Sequence, residues 1–288
     1  MSLLDGLRDS PGFLMSATFL LGLCLGSFLN VLILRLPQMM ERAWKREARA
    51  LLELPEVAET PLSLWRPAST CPSCAAVIKP WHNIPLLSWL RLRGRCANCA
   101  APISIQYPLV ELAAGLLSLT CAWRFGWSPQ LAAALVFTWT LLALMVIDLH
   151  TQLLPDDLTL PLLWGGLLLS LGSVFVPAPA SILGAAAGYL SLWSVFQLFR
   201  LATGKEGMGH GDFKLLAALG AWLGWQALPT VILLSSVVGA AVGIGLIVLR
   251  KHDRQVPIPF GPYLAAAGWL ILIGGEALSG ISLSALAG

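Results

Sequence analysis

Long apolar runs separated by short polar turns dominate the chain. A helix needs about 20 apolar residues to cross a bilayer. That ruler picks out eight segments, at roughly 13–34, 109–125, 131–147, 158–176, 180–200, 213–227, 229–249 and 260–278. The sixth is short and contains Gly220 and Gly224, so it is expected to tilt or to cross only in part. Turn residues divide the others: Pro129, Pro155, the Pro177-Ala178-Pro179 corner, Pro229 and Pro257. The first run starts after Pro11 and lacks a small-residue cleavage site, so it reads as a retained span rather than a signal peptide. One polar stretch, 35–107, lies between the first and second apolar segments. Its opening part, Glu41 to Glu53, mixes charges with Ala and Leu and predicts a surface helix. The stretch then runs through Pro55, Pro61 and Pro67 into a cysteine-bearing region, and it is the part suited to folding in water. The expected architecture is an all-α polytopic membrane protein. Residues 1–34 carry the first of about eight transmembrane helices, 35–107 form a small polar domain, and 108–288 form a helical core.

Composition supports this reading. Of 288 residues, 57% are hydrophobic and only 11% are charged. Soluble domains average about 25% charged residues, so an ordinary water-exposed surface is excluded. The net charge of +3 is too small to imply an acidic partner, and no nucleic acid is expected. The placement of the charges is more informative. Ten of the eighteen Lys and Arg residues lie in the polar segment, and Arg35, Arg42, Lys45, Arg46 and Arg49 are close to the first span. The positive-inside rule puts such residues in the cytoplasm. Alternating spans then bring Arg200, Lys205, Lys214, Arg250, Lys251 and Arg254 to the same side, leaving only Arg8 and Arg124 outside it. On this topology Asp148, which ends the third apolar segment, and Asp212, which begins the sixth, both reach the cytoplasmic face.

Ionisable groups at membrane depth are costly and tend to mark function. Two adjacent carboxylates share a proton, because both cannot ionise cheaply. The ionised one can act as base on a water, while the protonated one polarises a carbonyl and then protonates the leaving amine. The glycines of Gly207-Met208-Gly209-His210-Gly211 leave room for a substrate backbone near Asp212. Capping is the competing explanation. Asp212 before Phe213-Lys214-Leu215 fits an ordinary helix start. Asp148 fits it less well, since it lies at a helix C-terminus, where the macrodipole disfavours negative charge. A proton- or ion-coupled transporter using Asp148 and Asp212 is the alternative function. It is disfavoured because no inverted repeat is visible and transporter sites lie nearer the midplane. A non-catalytic assembly factor is a third reading.

Six cysteines divide into two classes. Cys24 and Cys121 are isolated in apolar runs and read as packing residues. Cys71-Pro72-Ser73-Cys74 and Cys96-Ala97-Asn98-Cys99 are two C-x-x-C pairs separated by twenty-one residues. Two such pairs predict a four-thiolate zinc site, at a spacing slightly beyond the usual ribbon range. Cytoplasmic placement keeps the thiols reduced. Four protein ligands leave no open position, so the zinc is expected to be structural.

Gly209-His210-Gly211-Asp212 is a Gly-x-Gly-Asp motif. It lies within Lys205-Glu206-Gly207-Met208-Gly209-His210-Gly211-Asp212-Phe213-Lys214-Leu215. Further blocks are Gly26-Ser27-Phe28-Leu29-Asn30-Val31 with Arg35-Leu36-Pro37, Asn83-Ile84-Pro85-Leu86, Tyr107-Pro108-Leu109-Val110-Glu111 and Pro259-Phe260-Gly261-Pro262-Tyr263. In this order the chain resembles the bacterial type IV prepilin peptidase and N-methyltransferase family of membrane aspartyl proteases. The resemblance implies that Asp148 and Asp212 are the first and second catalytic aspartates, and that Asp156 is a further, non-catalytic acid. Where the family often has a second acid just after the first, this chain has His150. The resemblance also implies methylation of the new N-terminal amine with S-adenosylmethionine, and Gly94 matches a position linked to it. Glu111 and Asn30, polar groups at the membrane edge, are further candidates for the methyl-donor site. Implied substrates are prepilins or pseudopilins with a basic leader and an apolar helix, cut after a glycine and before a phenylalanine. The expected location is the bacterial inner membrane, in contact with lipid, with a cytoplasmic catalytic face.

Overall fold

A computed structural model describes residues 10–55, 60–205, 208–250 and 259–275. Arg8, Lys251, Arg254, Pro257 and residues 276–278 of the last expected span lie outside the described residues. Among those described, regular structure is helical, apart from isolated β-bridges. The helices are α1 (Pro11–Leu51), α2 (Leu87–Arg91), α3 (Gln106–Phe125), α4 (Pro129–Thr151), α5 (Asp156–Leu171), α6 (Ala178–Thr203), α7 (His210–Leu223), α8 (Leu228–Arg250) and α9 (Gly261–Gly274). Each of the eight expected apolar segments is helical over most of its described residues, although the fourth leaves the helix after Leu171. Among the described residues, four stretches are long and apolar enough to cross a membrane: Pro11–Leu51, Pro129–Thr151, Ala178–Thr203 and Trp225–Gly245. The chain is thus an all-helical, polytopic membrane protein. Helices α3, α5, α7 and α9 stand at expected places but are shorter or less apolar.

The chain forms two compact units, Met1–Trp127 and Ser128–Gly288. In the first, α1 opens with Ser10, whose hydroxyl accepts the Phe13 N–H, and with Pro11 in the first turn. The separate surface helix expected from Glu41 is instead the continuation of α1 through Pro37. Residues 38–51 are rich in helix formers, and Glu41 pairs with Lys45 one turn on at 2.6 Å, so propensity carries the helix past the proline. Helix α3 packs along α1. A Cβ on Gly22 would lie 2.6 Å from the Ala114 carbonyl oxygen, and one on Gly26 would lie 2.6 Å from Glu111 Cα. The two backbones are in contact, the packing that a Gly-x3-Gly spacing permits.

The second unit is built around α7. Phe213, Leu215, Leu216, Ala218, Leu219 and Ala221 on this helix are fully buried. With 14 residues it spans about 21 Å, short of the bilayer core. It is a core helix, which accounts for the weakness of the sixth apolar segment. Hydrogen bonds tie its end to its neighbours: Trp222 Nε1 donates to the Leu162 carbonyl of α5 at 2.7 Å, and Ser181 of α6 donates to the Ala221 carbonyl at 2.6 Å. Helices α6 and α8 are largely exposed within the chain, with apolar ridges such as Ile182, Leu190, Leu198, Leu233 and Val237 suited to lipid.

Candidate functional site

Asp148 lies in the last turn of α4. Its carbonyl accepts the N–H of Gln152, which ends the helix in a left-handed conformation. Asp212 lies in the first turn of α7, behind Gly209 at the N-cap. Both carboxylates are buried, at 4% and 8% exposure, beside the fully buried Ile147 and Phe213. Asp148 is near enough for its charge to act on Asp212. The two acids are 64 residues apart in sequence, and the fold gathers them into one site.

A third element completes the site. Gly261, the first residue of α9, turns its amide toward the Asp148 carboxylate. A Cβ there would lie 2.5 Å from Asp148 Oδ2. That oxygen is sealed from solvent and makes no well-formed hydrogen bond. A buried carboxylate oxygen without a partner is costly in a purely structural role. It is available to a proton or to a water. Leu154 fills the floor between two glycines: a Cβ on Gly211 would meet Leu154 Cβ at 2.8 Å, and one on Gly261 would meet Leu154 Cδ1 at 3.1 Å. Asp156 does not join the pair. At the start of α5, both of its oxygens accept from Lys214 Nζ at 2.7 Å, which links α5 to α7 two residues beyond Asp212. His150 is exposed, and the His210 ring packs against Phe196 and Phe213. Gly261 stands within the Pro259-Phe260-Gly261-Pro262-Tyr263 block. Its contact with Asp148 depends on long-range packing that no local pattern records.

In the first unit the four expected cysteines converge. Their Sγ atoms all lie within 4.8 Å of one another, and Cys71 and Cys99 are 3.8 Å apart. Zn–S bonds of about 2.3 Å in a tetrahedron require S···S separations of about 3.8 Å, so the tetrad can hold a metal ion. The two knuckles share one geometry. Each starts at a β-bridge, Thr70 with Val77 and Arg95 with Pro102. In each, the first cysteine's carbonyl accepts an N–H four residues on, from Ala75 or Ala100, and both of these alanines have φ of 57°. Asn98, between the two cysteines of the second knuckle, donates its side-chain amide to Cys74 Sγ at 3.5 Å. That bond, with the Ala76 N–H, lowers the Cys74 thiol to about 6. The Cys99 and Asn98 amides lower Cys96. Cys99, although drawn down by the Ala101 N–H, is pushed up to about 11 by the neighbouring thiols. Four crowded sulfurs of this kind favour a cation among them.

The three candidates for the methyl-donor site fall at different places in the first unit. Gly94 is buried in a turn with φ of +66°, where a Cβ would lie 2.9 Å from the Trp89 ring. Its N–H donates to the Trp89 carbonyl and its carbonyl accepts from Ile103, just ahead of the second knuckle. Glu111 of α3 is buried and accepts the Leu86 N–H at 2.8 Å, with the Ser27 hydroxyl also in reach. Asn30 is buried and donates to the Gly26 and Tyr107 carbonyls, while its Oδ1 has no partner among the described residues.

A buried aspartate pair at helix ends and a separate four-cysteine domain together define a class of membrane-embedded enzyme. Residues 20–125 match the bacterial peptidase A24 N-terminal domain, and residues 135–244 match the type IV leader peptidase family. The chain is 57% identical over 281 residues to the prepilin leader peptidase/N-methyltransferase of Aeromonas hydrophila, covering 96% of each chain. It is 55% identical to that of Pseudomonas aeruginosa over 280 residues, covering 97% of each, and 49% identical to that of Dickeya chrysanthemi over 278 residues. No solved structure matches. The chain belongs to the type IV leader peptidase family and is an enzyme.

Proposed function

We propose that the chain is an intramembrane aspartyl endopeptidase that removes the leader of type IV prepilins and prepilin-like secretion proteins. We further propose that it N-methylates the newly exposed residue, phenylalanine, with S-adenosylmethionine. The observation that carries the peptidase reading is the pairing of two buried, chain-distant aspartates, Asp148 and Asp212, around an unpartnered oxygen. One proton is shared between them. The ionised carboxylate takes a proton from a water as that water attacks the scissile carbonyl carbon. The protonated carboxyl donates to the carbonyl oxygen, and collapse of the tetrahedral species breaks the C–N bond as the leaving nitrogen takes up a proton. The relatives' shared name supports the substrate class and the second activity.

The basic segment 35–55 supports a cytoplasmic placement of the polar domain 35–107, and of both aspartates at the cytoplasmic face of the bacterial inner membrane, with lipid around α6 and α8. The apolar helix of the substrate enters laterally from the bilayer. Cys71, Cys74, Cys96 and Cys99 hold zinc, which when bound supplies a structural crosslink and no reaction step. Substituting Asp148→Asn and Asp212→Asn singly tests the peptidase reading. Each variant is expected to leave a co-expressed prepilin uncut, by mass spectrometry of its N-terminus. Retained cleavage by either one would remove that aspartate from the mechanism.

A further inference from the structure

The first unit contains a cavity of about 370 Å³ that plays no part in the aspartate pair. One wall is a single face of α1, formed by Ser27, Phe28 and Arg35, and the facing wall is formed by Trp65, Ser69 and Asn83 from the polar domain. Sequence blocks that the peptidase chemistry leaves unused, Gly26–Val31, Arg35–Pro37 and Asn83–Leu86, therefore meet here. We infer that this cavity is the binding site for the adenosyl methyl donor, a reading that rests on the methyl-transfer function proposed above.

Three features match the chemistry of such a ligand. Trp65 stacks on Phe28 with ring centroids 5.6 Å apart, yet Trp65 remains 78% exposed, so an aromatic face is open to a purine. Aromatic faces also attract a sulfonium cation. Arg35 donates to the Ser63, Leu64 and Pro67 carbonyls and, among the described residues, meets no carboxylate. The guanidinium thus holds the loop that carries Trp65, and its charge is available to the carboxylate of the amino-acid end. Ser69 and Asn83 add polar edges for the ribose and base. The volume lies within the usual range for small-molecule sites, about 300–1,000 Å³.

Glu111 acquires a role as a positioning residue. It accepts from Leu86, next to Pro85 in the cavity wall, and lies in reach of Ser27 in the opposite wall. It ties the two walls together from behind. Gly94 shapes the turn before the second knuckle and does not line the cavity. In the transfer itself the free amine attacks the methyl carbon as the S–C bond breaks. S-adenosylhomocysteine leaves, and the nitrogen gives up one proton to solvent.

The test is equilibrium binding of radiolabelled S-adenosylmethionine and of S-adenosylhomocysteine to the purified full-length protein, followed by ultraviolet crosslinking and peptide mapping. Wild-type protein is expected to bind both and to take the label in residues 24–35 or 64–69. Trp65→Ala is expected to weaken binding about tenfold, the scale of a lost stacking face. Asn83→Ala should weaken it about threefold or more, the scale of a lost hydrogen bond. Thermal unfolding confirms that each variant is folded, and the wild-type crosslink needs no variant. A label confined to residues 71–79 or 88–99, or from Ser128 onward, would overturn the cavity and leave methyl transfer standing, whereas a label at Asn83 or Pro85 would support it. Failure of wild type to bind either compound would overturn both. Displacement by phosphatidylglycerol vesicles but not by S-adenosylhomocysteine would make the cavity a lipid headgroup site and overturn the assignment.

Discussion

At Gly261 a single hydrogen atom separates the α9 backbone from a carboxylate oxygen. A methyl group there would stand 2.5 Å from Asp148 Oδ2 and 3.1 Å from Leu154. Gly261→Ala must therefore move either the carboxylate or α9. Misplacing a reacting group by about 1 Å can cost about a hundredfold in rate. The expected result is a fall of that order in kcat for prepilin cleavage with KM little changed, read from initial rates in detergent. A second effect belongs to Asn98. Its amide helps keep the Cys74 thiol near 6, so the sulfur is largely thiolate at neutral pH. Asn98→Ala lets that thiol rise, and protons then compete better with a metal. Metal affinity should drop in the variant, more at pH 6.5 than at pH 8.5, because the difference fades once both forms are deprotonated. A competition titration with a chromophoric chelator measures it, and an equal loss at both pH values would mean that Asn98 acts by packing. The aspartates and cysteines were legible in the sequence because charge in an apolar run and paired C-x-x-C spacing are local signals. Gly261, Leu154 and Asn98 were not, because their roles exist only where distant segments touch.

In the second unit, α6 and α7 pack backbone against backbone. A Cβ on Gly184 would overlap the Gly220 carbonyl, and one on Gly188 would lie 2.5 Å from the Leu216 carbonyl oxygen. Backbone cannot retreat as a side chain can. Gly184→Leu should destabilise the protein by at least about 1–3 kcal/mol, the ordinary cost of overpacking, seen as a lower Tm and as lost cleavage. Lys214 and Asp156 form a weaker link, since their side chains are 31% and 52% exposed. Such pairs contribute about 0.2–1 kcal/mol. Asp156→Asn should leave Tm nearly unchanged and reduce cleavage only a few-fold, and a charge-swapped Asp156→Lys, Lys214→Asp pair should restore most of that loss. Helix positions were readable from the apolar runs, since the bilayer fixes their period and length. The continuity of α1 through Pro37 was not, because proline and a change to charged residues both suggested a break. The encased position of α7 was only hinted at by its length and glycines.

Across the whole molecule, chemistry divides along the chain. The aspartates and Gly261 belong to the second unit, Ser128–Gly288, while the cysteines and the proposed donor cavity belong to the first. Between α1 and α3, the described residues of the polar domain carry little regular structure: a 3-10 turn, the five-residue α2 and two isolated bridges. Trp65, Trp81 and Leu87 remain exposed there, so apolar burial alone holds it weakly. Metal binding at the four cysteines, as proposed, would supply the missing order, at about 10–16 kcal/mol of binding free energy in small zinc domains. Metal removal should therefore act unequally on the two reactions. Treatment with a strong chelator under reducing conditions is expected to abolish adenosyl-donor binding and N-methylation while most prepilin cleavage survives. Mass spectrometry of the product N-terminus then shows cut but unmethylated chains, and restored zinc restores the methyl group. Equal and parallel loss of both activities would mean that the cysteine domain supports the aspartate site as well, and that the two reactions do not divide between the units.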